Sequence, residues 1–231
     1  MTPHKEFHQY SIEHRDAFWT EQAKLVGWKE PFTQVCDYSR PPFAKWFVGG
    51  KTNLCYNAVD RHAARRPDAP ALIYVSTETD EEKIYSFAEL QREVERMAAI
   101  YQKLGVKRGD RILLYMPMIA AATFAMLASA RIGAIHSVVF GGSAPAELAA
   151  RIEDAAPPPV VAPSCGIDPN RTIPSKPILD PAIRRSAHTP DHCVPLQREQ
   201  VEAPVRAHDA AWATTTPRAA NEPASCHELG S

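Results

Sequence analysis

The chain has 231 residues, 45% of them hydrophobic and 23% charged, with a formal net charge of −1. That length buries a substantial core, as one large domain or as part of a larger one. The near-neutral balance gives no electrostatic ground for nucleic acid or an anionic membrane as a partner.

In chain order, Asp16-Ala17-Phe18-Trp19 belongs to a short amphipathic helix that extends to Leu25 and Val26. An irregular stretch follows, anchored by Trp28, Phe32, Phe43, Trp46 and Phe47 and ending at Gly49-Gly50. Residues 53–66 read as a helix with Leu54, Ala58, Val59 and His62 on one side, stopped by Pro67 and Pro70. Ala71-Leu72-Ile73-Tyr74-Val75 and Lys83-Ile84-Tyr85, joined by a polar turn, predict a hairpin. Ser86 and Glu89 have capping-box spacing. Phe87, Leu90, Val94, Met97, Tyr101 and Leu104 then recur every three or four residues until Gly105 stops the helix.

Residues 111–116 are a strand, 119–132 a helix closed by Gly133, and 134–140 the next strand, in which His136 is expected to be buried. Strand, crossover helix and strand build a parallel α/β sheet and leave Phe140, Gly141 and Gly142 at a carboxyl strand end, where such sheets bind ligands. The uncharged run 112–130 approaches membrane-span length. Pro117 splits it and Arg131 follows at once, so a strand with a buried crossover helix accounts for it and no membrane is expected. Ser143 is expected to cap a helix reaching Asp154, with Pro145 near its start. After Ala155 prolines accumulate, beginning with Pro157-Pro158-Pro159. Val160-Val161-Ala162 reads as a strand and 181–187 as a short helix, with no sustained period beyond Pro190 and flexibility from Thr214 to Ser231.

Five cysteines (Cys36, Cys55, Cys165, Cys193 and Cys226) are odd in number, widely spaced and free of C-x-x-C pairs. With no signal-like or arginine-rich start, they predict reduced thiols and a cytoplasmic setting. His188 and His192 lack a third ligand at suitable spacing, so no metal site is expected.

Two turns are candidates for ligand contact. Phe140-Gly141-Gly142-Ser143 lets backbone approach a ligand, with a helix amino terminus beyond; on spacing alone it is equally a plain strand-to-helix turn. Ser164-Cys165-Gly166-Ile167-Asp168-Pro169-Asn170-Arg171 ends in a guanidinium suited to phosphate, or in an ordinary exposed arginine.

Both turns, with Asn53-Leu54-Cys55-Tyr56-Asn57-Ala58-Val59-Asp60-Arg61-His62, Met116-Pro117-Met118-Ile119 and Ala130-Arg131-Ile132-Gly133-Ala134-Ile135-His136-Ser137-Val138-Val139-Phe140, resemble the amino-terminal part of the short-chain acyl-CoA synthetases. These are the AMP-forming ligases that make acetyl-CoA and propionyl-CoA, and Lys176-Pro177-Ile178-Leu179-Asp180 echoes the propionyl branch. The resemblance implies an entry arm over 1–52, the start of the AMP-binding α/β domain over 53–162, and a divergent, proline-rich, weakly structured continuation over 163–231. It implies coenzyme A contacts at Phe140, Gly141 and Gly142, along the pantetheine arm, and at Arg171, on a phosphate. Asp168 stands where the acetyl branch has a second arginine, so Arg171 alone carries over.

In that family ATP and Mg²⁺ are handled by a Ser/Thr/Gly-rich loop and a lysine that follow about where Leu229-Gly230-Ser231 stand, so no catalytic residue is assigned and productive ATP binding is not expected. The rival reading is a non-catalytic truncated homologue that binds coenzyme A or a partner, or has no function. Its unfinished sheet edge predicts self-association.

Overall fold

The computed structural model describes residues 3–168, 171–204 and 229–230. The chain opens with helices α1 (His4–Glu13) and α2 (Arg15–Gln22), followed by short strands β1 (Trp28–Glu30), β2 (Gln34–Arg40), β3 (Phe43–Val48) and β4 (Lys51–Thr52). The aromatic stretch expected to be irregular is thus largely paired: β2 and β3 form an antiparallel hairpin, and β1 pairs with β4. Its rings pack on one another, Trp28 against Phe32 and Phe47, and Trp46 against Trp19. Ring-to-ring contact rather than alternation organises the arm, which is why a period of two was not visible in it.

A wide turn of π-helix at Tyr56–Asp60 runs into α3 (Arg61–Ala63), shorter than the helix expected over 53–66. Strands β5 (Pro70–Ser76) and β6 (Glu81–Ser86) make the expected hairpin. Helix α4 (Phe87–Lys103) starts where its capping box does. The Ser86 hydroxyl accepts the Glu89 N–H at 3.2 Å and the Glu89 carboxylate accepts the Ser86 N–H at 2.9 Å. Phe87, Leu90, Val94, Met97 and Tyr101 form its buried stripe, and Gly105 ends it at a φ of +79°.

The body is a four-stranded parallel sheet built from β7 (Arg111–Met116), β8 (Ile135–Phe140), β9 (Pro159–Pro163) and a further strand at the other edge. Helix α5 (Ala120–Arg131) joins β7 to β8, and α6 (Pro145–Ala155) joins β8 to β9. After β9 come a hairpin of β10 (Cys165–Asp168) and β11 (Arg171–Pro174), helix α7 (Lys176–Arg185) and the edge strand β12 (His192–Leu196), giving the order β12-β9-β7-β8. Leu229–Gly230 form β13 alongside β4.

β7 lies inside the sheet and is covered on both faces, so Ile112-Leu113-Leu114-Tyr115-Met116 is apolar without alternation. Ile112, Leu114 and Met116 pack with α4 and α5; Leu113 and Tyr115 pack with Val139, Leu148 and Ile152 on the α6 side.

Several local expectations are corrected. The α6 N-cap is Ala144, with no side-chain cap bond, so Ser143 stands one residue too early to cap. His136 is exposed, because β8 is a sheet edge and half of its surface has no cover among the described residues. β12 lies in the stretch beyond Pro190 where no period was legible; Pro195 interrupts its pattern, and an edge is where a strand tolerates proline. The flexibility expected over 214–231 falls outside the described residues except at 229–230.

A buried polar clamp ties the start of the domain to this sheet. Arg131 Nη1 donates to both carboxylate oxygens of Asp60, at 2.7 and 2.8 Å, and Nη2 to Glu95 at 3.0 Å. Gln91 also donates to Asp60, at 2.9 Å, and the Asn53 amide donates to the Ala130 carbonyl at 2.9 Å. Burial pushes the Glu95 carboxyl up, with the Arg131 charge opposing, and pushes the Cys55 thiol, 3.8 Å from Arg131, up to about 11. The motifs that begin at Asn53 and at Ala130 therefore meet each other, 71 residues apart at Asp60 and Arg131.

Candidate coenzyme site

Because the sheet is parallel, β8 and β9 end on the same side of the molecule. The Phe140 turn leaves the end of β8, and the β10–β11 hairpin follows the end of β9. β8 and β9 are both neighbours of β7, so the two predicted contact regions rise from the same sheet edge.

The first region is a tight turn in which the Ser143 N–H donates to the Phe140 carbonyl at 3.1 Å. Neither central glycine has a positive φ; close approach, not backbone freedom, demands them. A Cβ on Gly141 would lie 3.1 Å from the Pro117 nitrogen and 3.4 Å from the Met116 carbonyl carbon, against the end of β7. A Cβ on Gly142 would meet the Phe140 ring at 2.8 Å. The Tyr115 hydroxyl donates to the Gly141 carbonyl at 2.8 Å, and burial pushes that phenol's pKa up. Phe140 itself is 70% exposed.

Tyr115 is the positioning residue that the sequence reading missed. Its signal was present: a tyrosine among aliphatic neighbours in a fully buried strand must find a hydroxyl partner.

The second region is a hairpin rather than the isolated turn expected. Asp168 and Arg171 form its last described pair in register, and the Arg171 Nε donates to the Asp168 carboxylate at 3.4 Å. The Arg171 side chain is 72% exposed. Its hydrogen bond and ion pair go to Asp168, not to the glycine turn. A cleft lined by Ser164, Pro174, Lys176, Asp180, Arg184 and Glu202 borders the base of the second region but not the glycine turn.

An apolar ring, a backbone without Cβ atoms and an exposed guanidinium suit a slender amide chain that carries a phosphate. Adenylation needs several N–H donors and a lysine converging on phosphates. Among the described residues no cluster of His, Cys, Asp or Glu could hold a metal ion, and no helix is long and apolar enough to cross a membrane.

Comparison with known proteins identifies the family. Residues 4–58 match the model for the acetyl-coenzyme A synthetase N-terminus. The chain is 54% identical over 193 residues to the propionate–CoA ligase of Salmonella typhimurium, covering 84% of this chain and 31% of that one. The corresponding ligase of Escherichia coli is 51% identical over 193 residues, with the same coverage. The solved acetoacetyl-CoA synthetase of Streptomyces lividans superposes with a TM-score of 0.88 at 27% identity, covering 100% of this chain and 35% of that one. The chain thus spans about a third of the length of the proteins it matches. With the model for AMP-binding enzymes matching residues 59–226, the chain belongs to the AMP-binding enzyme family.

Proposed function

We propose that this chain supplies one wall of the coenzyme A channel in the amino-terminal part of a short-chain acyl-CoA ligase, with propionate or acetate as the acid. Within it, 1–52 is the entry arm, 53–162 the start of the AMP-binding domain and 163–231 its divergent continuation. The observation that carries this reading is the Phe140-Gly141-Gly142 turn, pressed against β7 and held by Tyr115 with its ring exposed at the ligand edge of the sheet. The pantetheine arm lies along Phe140 and the glycine backbone, and Arg171 meets a phosphate of coenzyme A. That contact costs little to make, because the Asp168–Arg171 pair it displaces is exposed and long.

The polypeptide of 231 residues does not form an acyl-adenylate by itself. Its free cysteines Cys36, Cys55 and Cys165 suit the reducing cytoplasm. The rival is a non-catalytic homologue that binds coenzyme A or a partner.

Calorimetric titration with coenzyme A tests the wall. Weak binding is expected, reduced about tenfold by Arg171→Ala, the loss of a charge-assisted hydrogen bond, and not reduced by Asp168→Ala. Absence of binding, or equal binding by Arg171→Ala, refutes the assignment. Propionate-dependent exchange of pyrophosphate into ATP by the pure chain would refute the statement about adenylation.

A further inference from the structure

The β10–β11 hairpin is two strands wide and leaves the parallel sheet at Ser164, so its direction depends on how its root is held. Ser164 is 1% exposed, and its N–H, carbonyl and hydroxyl are each engaged. The N–H donates to the Leu196 carbonyl at 2.7 Å, at the end of β12, and the carbonyl accepts the Ser175 N–H at 3.0 Å, which closes the two stems. The hydroxyl accepts the Arg198 N–H at 2.8 Å.

The next residue makes a second demand. Cys165 is fully buried, and Pro174, its partner in register, has no N–H to offer its carbonyl. The Arg198 guanidinium supplies the donor, with Nη1 reaching the Cys165 carbonyl at 3.2 Å. The loop that carries Arg198 is braced by the Gln197 amide, which donates to the Ala203 carbonyl at 2.8 Å and accepts the Ala203 N–H at 2.9 Å. Arg198 thus grips both residues at the root of the hairpin, Ser164 through its backbone and Cys165 through its side chain.

We propose that Arg198 is a positioning residue for coenzyme binding, which together with Ser164 fixes the root of β10–β11 and so aims Arg171. This rests on the assignment of Arg171 to a coenzyme A phosphate. Arg171 stands opposite Asp168, three register positions beyond the Cys165–Pro174 pair. Three positions at the strand rise put it about 10 Å from the root, where a tilt of about 10° moves it by about 2 Å. A shift of that size breaks a hydrogen bond to phosphate. The Asp168 contact lies within the hairpin and moves with it, so it does not correct the aim.

A double-variant cycle titrated with coenzyme A by calorimetry is the test: parent, Arg198→Met, Arg171→Ala and the two together. Arg198→Met weakens binding about fivefold in the parent, and by less than about twofold once Arg171 is already Ala. A merely structural role for Arg198 weakens binding equally in both backgrounds. Hydrogen exchange reads the root without ligand. Amides within 165–168 and 171–173 exchange faster in Arg198→Met and in Ser164→Ala, while those of 111–116 in β7 keep the rates of the parent. Unchanged binding by Arg198→Met where Arg171→Ala weakens it, equal losses in both backgrounds, or unchanged exchange in the hairpin each overturns this proposal alone. An Arg171→Ala variant that binds as the parent does removes the assignment beneath it, and this proposal with it.

Discussion

The Arg131 clamp allows a quantitative test of how the entry region is fastened to the sheet. The Arg131 side chain is 7% exposed, and its guanidinium answers two carboxylates, Asp60 and Glu95. Replacing Arg131 with Met keeps the bulk but leaves those like charges together without their cation. Removing one partner of a buried ion pair costs about 3–5 kcal/mol. With a urea m-value of about 2 kcal/mol/M, the unfolding midpoint should fall by about 1.5–2.5 M. The double variant Arg131→Met with Asp60→Leu removes both partners and should recover at least half of the loss, because a packed apolar pair nearly matches a buried ionic one.

The pH dependence has a definite sign. Burial already holds the Glu95 pKa above its ordinary value with Arg131 opposing, so losing the cation raises it further. A raised folded-state pKa contributes stability that is present below the unfolded value, near 4.5, and lost as pH rises through the folded value. The gap between parent and Arg131→Met should therefore narrow as pH falls from 7 towards 5. Urea titrations followed by circular dichroism at both pH values decide the matter. A cost below about 1 kcal/mol, or a gap independent of pH, would refute the reasoning.

Two further perturbations follow from the geometry. The Cys55 thiol is pushed from 9.0 to about 11, so its neutral form stabilises the fold below pH 9 and that contribution, about 2–3 kcal/mol, is lost as pH rises through 11. Buried Tyr101, also pushed up, acts in the same direction, so Cys55→Ala should flatten the alkaline stability profile without abolishing its slope; an identical slope would count against the assignment. At the glycine turn, Gly141→Ala presses a Cβ on the backbone of β7 and should cost about 1–3 kcal/mol in thermal unfolding. Gly142→Ala meets only the exposed Phe140 ring, so the melting temperature should hold while coenzyme A binding weakens; the reverse pattern would contradict the close-approach account.

Much of the fold was legible because its signals are local. The capping box at Ser86, the α4 stripe and the glycine stop are each written within a few residues, and all stand in the structure. The order β7, α5, β8 and the position of Phe140-Gly141-Gly142 at a carboxyl strand end follow from the same local grammar plus the rule of parallel crossovers. Where local signals were weak, the reading was coarse: rings packing on rings hid the strands of the arm, and Pro195 hid β12. Legibility was lowest for coverage. His136-Ser137-Val138-Val139-Phe140 reads as a buried strand, but burial depends on what lies on either side.

By itself, then, the sequence determined the type and order of the central elements, the place of the candidate wall and the family resemblance, all properties carried by short windows of residues. Only the tertiary structure decided that Arg131 answers Asp60, that Tyr115 holds Gly141, and that β8 ends the sheet order among the described residues. The physical reason is that burial, ion pairing and hydrogen-bond partnership are set by neighbours far along the chain. Residues 60 and 131 carry no mark of one another until the chain folds them together.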